Sequence, residues 1–166
     1  MHSKYFWELH KLHHSATEMN MLTVAREHPF VVSVSVLLLA LPAYIFGIHI
    51  EIIFIYSAVT GIHNLFVHSK VNIIPQWLTF ILIDTKYHYL HHSSDNSHLN
   101  RNFGDLFNVW DKLFETHLKP NKDAKFNLGI TENKDFNKDV YFTEIFNVFF
   151  RWLRFLGRRW IYEEAN

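Results

Sequence analysis

Two copies of one histidine-rich word stand out in this chain. Each reads H-x-L-H-H-S, and the copies cover residues 10–15 and 88–93. In an α-helix, residues three and four apart lie on one face, so each copy is expected to direct three imidazoles towards one point. Imidazole is a common metal ligand, and two such triplets predict a site for two metal ions. The alternative is two unrelated histidine-rich surface turns. The histidines concerned are His10, His13, His14, His88, His91 and His92.

The composition restricts what kind of metal site the chain can build. It has 166 residues, which fits one domain over 1–166, with a formal net charge of zero and no cysteine. Without cysteine, disulfides, zinc–thiolate sites and an iron–sulfur cluster of its own are excluded. Without an excess of positive charge, nothing favours nucleic acid binding. An all-imidazole site suits iron, zinc, copper or nickel, so ligand type alone leaves the metal open.

Two long apolar segments lie between the histidine words. Residues 30–46 carry no charge and residues 48–67 are mostly apolar, so each is about long enough to cross a bilayer core. The turn at 47–51 has no Lys or Arg, whereas both outer flanks do. The positive-inside rule then places the outer ends and the histidine words in the cytoplasm. We predict an all-α fold with a membrane helical hairpin and cytoplasmic helices that carry the metal site. Two buried helices of a soluble bundle are the alternative.

The second apolar segment contributes a further pair of histidines near its cytoplasmic end. These are His63 and His68. An ionisable residue inside a membrane span is costly and usually functional, which favours a role at the metal site. Five residues turn a helix well beyond one full turn, so the pair shares a face only if the helix ends or bulges between them. The alternative is a capping histidine followed by a loop histidine.

The C-terminal third has fewer distinctive patterns. Residues 119–139 are rich in Lys, Asn and Asp and predict an exposed connection. After it, Arg151, Arg154 and Arg158 lie on one helical face, and an apolar stripe lies on another. Such a basic amphipathic helix suits a membrane surface, and packing as a cap over the metal domain suits it equally. The stripe contains Phe142, Ile145, Phe146, Phe149, Leu153, Leu156 and Trp160.

The order of these motifs resembles the fatty acid hydroxylase/sterol desaturase superfamily of membrane di-iron enzymes. The first word stands in the stretch W-x-x-H-x-x-H-H-S, and residues 20–29 resemble the segment after the family's second histidine box. The middle histidine pair and the second word come next, in the family's order. Residues 102–104 read N-F-G and residues 110–114 read W-D-K-L-F, similar to the family's ending. The resemblance covers about residues 2–117.

The resemblance implies a function and a set of ligands. Two irons would react with O2 and hydroxylate or desaturate a C–H bond of a lipid, such as a sterol or fatty acyl chain. Electrons would come from an external donor, a ferredoxin or a b-type cytochrome with its reductase. The enzyme would be integral to the bacterial inner membrane or the endoplasmic reticulum. The implied ligands are His2, His10, His13, His14, His63, His68, His88, His91 and His92. Side chains that could orient them are Asp95, Asn102, Asp105 and Asp111.

One departure from the family pattern concerns the start of the chain. The family's first box has a histidine three to five residues before the position of His2, and this chain begins at Met1. The membrane hairpin before that box is also missing. We therefore expect a truncated reading frame, with the missing histidine and hairpin encoded upstream. The alternatives are a non-catalytic family member and a zinc-binding membrane protein.

Overall fold

A computed structural model describes residues 2–120, 127–130 and 141–163. Across these residues the regular structure consists of six α-helices and short 3-10 turns, with no β-strand. The predicted all-α fold is therefore confirmed. The helices are α1 (Trp7–His14), α2 (Pro29–Ile45), α3 (Ile50–Val67), α4 (Thr85–His91), α5 (Val109–Leu113) and α6 (Tyr141–Glu163). The 3-10 turns are Met21–Ala25, Gln76–Leu78 and Asn96–His98.

The two apolar segments form α2 and α3. Pro29 starts α2 because its fixed φ suits the first helical position, and His28 caps it by accepting a hydrogen bond from the Phe30 amide at 3.1 Å. The helices are joined by a turn in which Gly47 has a φ of +66°, a conformation that favours glycine. α3 is long and apolar enough to cross a membrane, and only 17% of that span is buried. α2 is a shorter apolar helix of 17 residues.

The exposure of these helices separates the two alternatives for the apolar segments. The core of a soluble bundle would bury most of such side chains, whereas here leucines, isoleucines and phenylalanines along both helices face outwards. A surface this apolar is typical of a membrane protein and favours the membrane hairpin over the soluble bundle. Residues from the start of α2 and the end of α3 line the same cleft, so the two helices run antiparallel.

Two small cores hold the histidine-bearing helices in place. In the first, Leu9 and Leu12 on one face of α1 pack against Val31 of α2 and Val148 of α6. The leucine spacing of three puts both side chains on one side of α1. In the second core, Val67 at the end of α3 packs with Ile83, which precedes α4, and with Tyr87 in α4. Both cores flank the histidines, so their packing fixes where the imidazoles point.

The C-terminal helix packs over α1, which is one of the two arrangements expected for it. Glu144 is buried at this contact and accepts a hydrogen bond from Arg151 at 3.0 Å. Arg151 also approaches Glu8 of α1 at 4.0 Å. The Trp160 and Arg158 side chains, and most of the predicted 119–139 connection, lie outside the described residues.

Candidate metal centre

The two histidine words form α1 and α4, and each word divides its histidines between two groups. His10 and His14 join one group, whereas His13 joins the other. The expectation that each word aims all three imidazoles at one point is therefore wrong. The reason is helical geometry: at 3.6 residues per turn, positions i and i+4 are about 40° apart, but i+3 and i+4 are about 100° apart.

The first group brings together four imidazoles from three parts of the chain. His2 precedes α1, His10 and His14 lie on α1, and His91 lies at the end of α4. The Nε2 atom of His2 is 3.1 Å from Nε2 of His91 and 3.1 Å from Nε2 of His14. All four ligand nitrogens lie within 4.8 Å of one another.

The second group is more deeply buried. It combines His13 of α1, His68 at the end of α3, and His88 and His92 of the second word. Nε2 of His68 is 3.2 Å from that of His13 and 2.9 Å from that of His88, which in turn is 3.1 Å from that of His92. His92 is fully buried. α3 ends at Val67, and His68 is its C-terminal cap.

The donor set of both groups fits a metal ion. Imidazole nitrogens bind a divalent metal such as zinc at about 2.0–2.1 Å, so two ligands at right angles stand about 3 Å apart. The observed Nε2 pairs have this spacing. In a neutral imidazole only one of the two nitrogens carries a hydrogen. Where two Nε2 atoms without a hydrogen face each other, their lone pairs are directed at each other. A bound cation satisfies them all.

The outward nitrogens of three of these rings are held by hydrogen bonds. Nδ1 of His10 lies 2.8 Å from a carboxylate oxygen of Glu27. Nδ1 of His68 lies 2.8 Å from the Asn64 carbonyl oxygen, and Nδ1 of His91 lies 2.9 Å from the Arg101 carbonyl oxygen. In each case Nδ1–H donates, which leaves the Nε2 lone pair free to face the group. The rings are therefore oriented before a metal binds.

Glu27 is a partner that the sequence did not indicate, while the four predicted side chains have other tasks. Asp95 caps the Asn96–His98 turn. Asp105 accepts a hydrogen bond from the Asn64 side chain at 2.8 Å. Glu27 is 17 residues from His10 and belongs to no repeated motif, so only the fold brings the two together.

The N-F-G and W-D motifs fix the loop after α4. Asp111 accepts hydrogen bonds from the Tyr87 hydroxyl at 2.7 Å and from the Phe103 amide at 2.8 Å. Asn102 donates to the Leu118 carbonyl oxygen at 2.9 Å and accepts from the Leu118 amide at 2.7 Å. These hydrogen bonds hold the loop against the start of the second histidine word and do not involve its imidazoles.

Burial favours the neutral form of most of these imidazoles. The pKa of His91 is lowered to about 4, chiefly because burial removes water from its charged form. Burial likewise lowers the pKa values of five others, and nearby histidines add to the effect: His2, His13, His14, His88 and His92. Neutral imidazole is the metal-binding form, so at neutral pH the groups are ready to bind.

The ninth histidine implied as a ligand lies outside both groups. His63 is buried within α3, and its Nε2 atom lies 3.0 Å from the Ile83 carbonyl oxygen, to which it donates. The structure thus brings together eight of the nine histidines. His28, left out of the site on sequence grounds, caps α2 and stacks on Phe149 with ring centroids 5.8 Å apart.

A cleft of about 790 Å³ opens beside the two groups. Its polar wall includes imidazoles of both groups, among them His10 and His68. Its apolar wall is formed by Val31, Val32 and Val36 on the first turns of α2. A ligand in this cleft would touch the metal groups at one side and the start of an apolar helix at the other.

Comparison with known proteins identifies the family. A sequence model described as fatty acid hydroxylase matches residues 1–116. The ornithine lipid hydroxylase of Rhizobium tropici is 28% identical over 125 residues, which are 75% of this chain and 38% of that protein. The alkylglycerol monooxygenase of Homo sapiens is 24% identical over 149 residues, 86% of this chain and 32% of that protein. The chain thus spans about a third of the length of these curated relatives. No solved structure matches it. With the family model covering well over half of its length, this chain belongs to the fatty acid hydroxylase family.

Proposed function

We propose that this chain binds two irons in its two histidine groups and uses O2 to hydroxylate, or by a second hydrogen removal to desaturate, a C–H bond of a membrane lipid. The observation that supports this most directly is the convergence of eight imidazoles into two adjoining groups beside an apolar cleft. When bound, a pair of irons supplies the activation of O2 and the removal of hydrogen from an unactivated C–H bond. The protein supplies placement and excludes water.

The ligand set favours a redox metal pair over catalytic zinc. Catalytic zinc sites keep three protein ligands and an open position, whereas each group here offers four imidazoles. Hydrolysis also needs a nucleophile or general base next to the metal, and the carboxylate that contacts a group, Glu27, is directed at the far nitrogen of His10. Both features suit metals whose task is electron transfer to O2.

The cleft favours a long apolar substrate. Val32 and Val36 face it from the start of α2, so an acyl or alkyl chain can enter from the bilayer along this helix. Its reacting carbon would stop at the imidazoles of both groups, where His13 and His88 line the cleft. The same apolar wall keeps water away from the reacting carbon, which limits wasteful side reactions.

The electron donor and the orientation in the membrane are inferred from the composition of the chain. Because cysteine is absent, the chain has no iron–sulfur cluster of its own, and we infer an external donor, a ferredoxin or a b-type cytochrome with its reductase. The histidine groups lie at the end of the hairpin whose flanks carry Lys and Arg. By the positive-inside rule that end faces the cytoplasm, in a bacterial inner membrane or the endoplasmic reticulum.

The test combines metal analysis with product analysis. The chain is purified in mild detergent from iron-supplied cells, then supplied with a ferredoxin, its reductase, NADPH as the electron source, and isotopically heavy O2. Substrates are an ornithine lipid and an alkylglycerol, the lipids named for two relatives. We expect about two irons per chain and a lipid product that carries one heavy oxygen atom, or a product with a new double bond.

Two variants make the assignment specific. His92→Ala removes a fully buried member of the second group and should abolish both the second iron and the product. His49→Ala changes an exposed histidine at the start of α3, at the far end of the hairpin, and should alter neither. Two bound zinc ions with no O2 consumption would instead support the zinc-binding alternative, and an inert iron-loaded chain would support the non-catalytic one.

A further inference from the structure

The C-terminal helix carries an exposed row of large apolar side chains that the metal centre does not use. Phe142, Phe146, Phe150 and Leu153 are 77%, 64%, 56% and 43% exposed. Their spacing of four, four and three residues places them in a single stripe along α6. We call these four residues the α6 ridge. Exposed aromatic rows of this kind in a folded domain mark an interaction surface.

The ridge is not the face that fixes α6 to the rest of the protein. That task falls to a neighbouring face, where Val148 and Ile145 pack against Leu9 and Leu12 of α1. Arg151, which is paired with Glu144 within α6, also approaches Glu8 of α1 at 4.0 Å. α6 is therefore held in place by one apolar face and still presents a second one to its surroundings.

The ridge is continuous with the apolar surface of the membrane hairpin. The ring of Phe30, the second residue of α2, lies 5.1 Å from the ring of Trp152 between centroids. Trp152 in turn contacts Phe149 at 5.8 Å, and Phe149 contacts Phe150 of the ridge at 6.2 Å. From Phe30, α2 continues with exposed Val32 and further apolar side chains. The ridge is therefore joined by a row of aromatic contacts to the N-terminal end of α2.

The surrounding residues are those typical of a membrane–water boundary. The indole N–H of Trp152 donates to the Tyr5 carbonyl oxygen, and the Lys4 ammonium lies 5.2 Å from the centroid of the Tyr5 ring. Arg154 is exposed on the polar side of α6. Tryptophan and tyrosine are enriched at the level of lipid headgroups, and basic side chains there can reach lipid phosphates.

We propose that the α6 ridge is a monolayer anchor: it lies in the boundary between headgroups and acyl chains of the bilayer that α2 and α3 cross. The partner is the lipid surface rather than a second protein, because the ridge joins an apolar surface that is itself exposed to lipid. Such helices insert about 5–10 Å into the boundary. Since α6 packs on α1, the anchor fixes the height of the histidine groups relative to the bilayer.

The absence of cysteine makes a direct test possible. Single cysteines are introduced at Phe146, Phe150, Asn147 and Leu38, labelled with a nitroxide, and the full chain is reconstituted into phosphatidylglycerol-containing vesicles. Collisions with O2, which partitions into lipid, and with a water-soluble nickel chelate then report depth. Asn147 is the matched control, exposed on the same helix but outside the ridge. Leu38, exposed in the middle of α2, is the reference for a lipid-facing position.

We expect labels at Phe146 and Phe150 to lie about 5–10 Å below the phosphates and the label at Asn147 to lie in water. Equal nickel accessibility at Phe146, Phe150 and Asn147 would overturn the proposal. Spin–spin broadening between labels at Phe146 would also overturn it, because a second copy would then cover the ridge. A variant that loses wild-type helicity is replaced by Phe142→Cys. A lipid-facing signal at Leu38 shows in every case that the chain is inserted.

Discussion

The contact between Glu27 and His10 offers the sharpest test of the metal centre. Glu27 lies outside every histidine motif, and its carboxylate is 2.8 Å from the Nδ1 atom of His10. A carboxylate at this position fixes the tautomer, orients the ring and makes Nε2 more basic. Loss of such a partner lowers metal affinity about tenfold to a hundredfold, which is about 1.4–2.7 kcal/mol.

Two substitutions divide this effect into charge and orientation. Glu27→Gln keeps one oxygen that can accept from Nδ1–H of His10, but it removes the charge and replaces the second oxygen, which accepts from the His28 amide at 3.1 Å, by an NH2 group. Glu27→Ala removes the charge and both oxygens. We expect an affinity loss of about tenfold for the glutamine variant and up to about a hundredfold for the alanine variant. Glu18→Gln, an exposed carboxylate outside the site, should change nothing.

The assay is competition between the protein and a chromophoric chelator, resolved into two binding steps. The loss of affinity should affect only one of the two binding steps, because the Glu27 carboxylate contacts His10, which belongs to the first group. Unchanged affinity at both sites in Glu27→Ala would refute the argument that this carboxylate orients a ligand. An equal loss at both sites would refute the assignment of His10 to a separate group.

Three further predictions, tested with four substitutions, concern other parts of the structure. His68→Ala should release about half of the metal, because one of the two groups loses a ligand, whereas His63→Ala should retain it all; metal analysis distinguishes them. Gly104→Ala should lower the melting temperature, because the added Cβ would lie 2.5 Å from the Phe107 carbonyl oxygen; overpacking of this kind costs about 1–3 kcal/mol. Val36→Trp should fill the cleft and slow lipid turnover while metal content stays unchanged.

Much of the fold could be predicted because its determinants are local. The apolar runs of 30–46 and 48–67 exceed what a turn or strand requires, and Pro29 marks where the first helix starts. The histidine words could be predicted as helical ligand sets because their spacing matches one helical turn. The nine candidate ligands could be chosen from these motifs alone, and the structure brings eight of the nine together.

The parts that could not be predicted depend on tertiary contacts. Nothing in the sequence assigns His13 to a different metal from His14, because that division needs the positions of α1 and α4 relative to each other. The same holds for His63, whose spacing allowed a ligand role but whose ring donates to Ile83. The choice between cap and membrane surface for the last helix could not be made from its pattern, because α6 has two apolar faces.

The division of each word explains how so short a motif can contribute to two histidine groups at once. His13 and His14 are neighbours in the chain but belong to different groups, and the same is true of His91 and His92. Across the boundary, the rings of His14 and His92 stack with centroids 4.3 Å apart. The separation of the two groups is therefore set by peptide bonds within rigid helices rather than by flexible loops. Since α1 and α4 each contribute to both groups, neither helix can move without disturbing both groups. An H-x-x-H-H word on a helix is thus suited to two adjoining sites. Its first and third histidines belong to one group, and its second histidine belongs to the other.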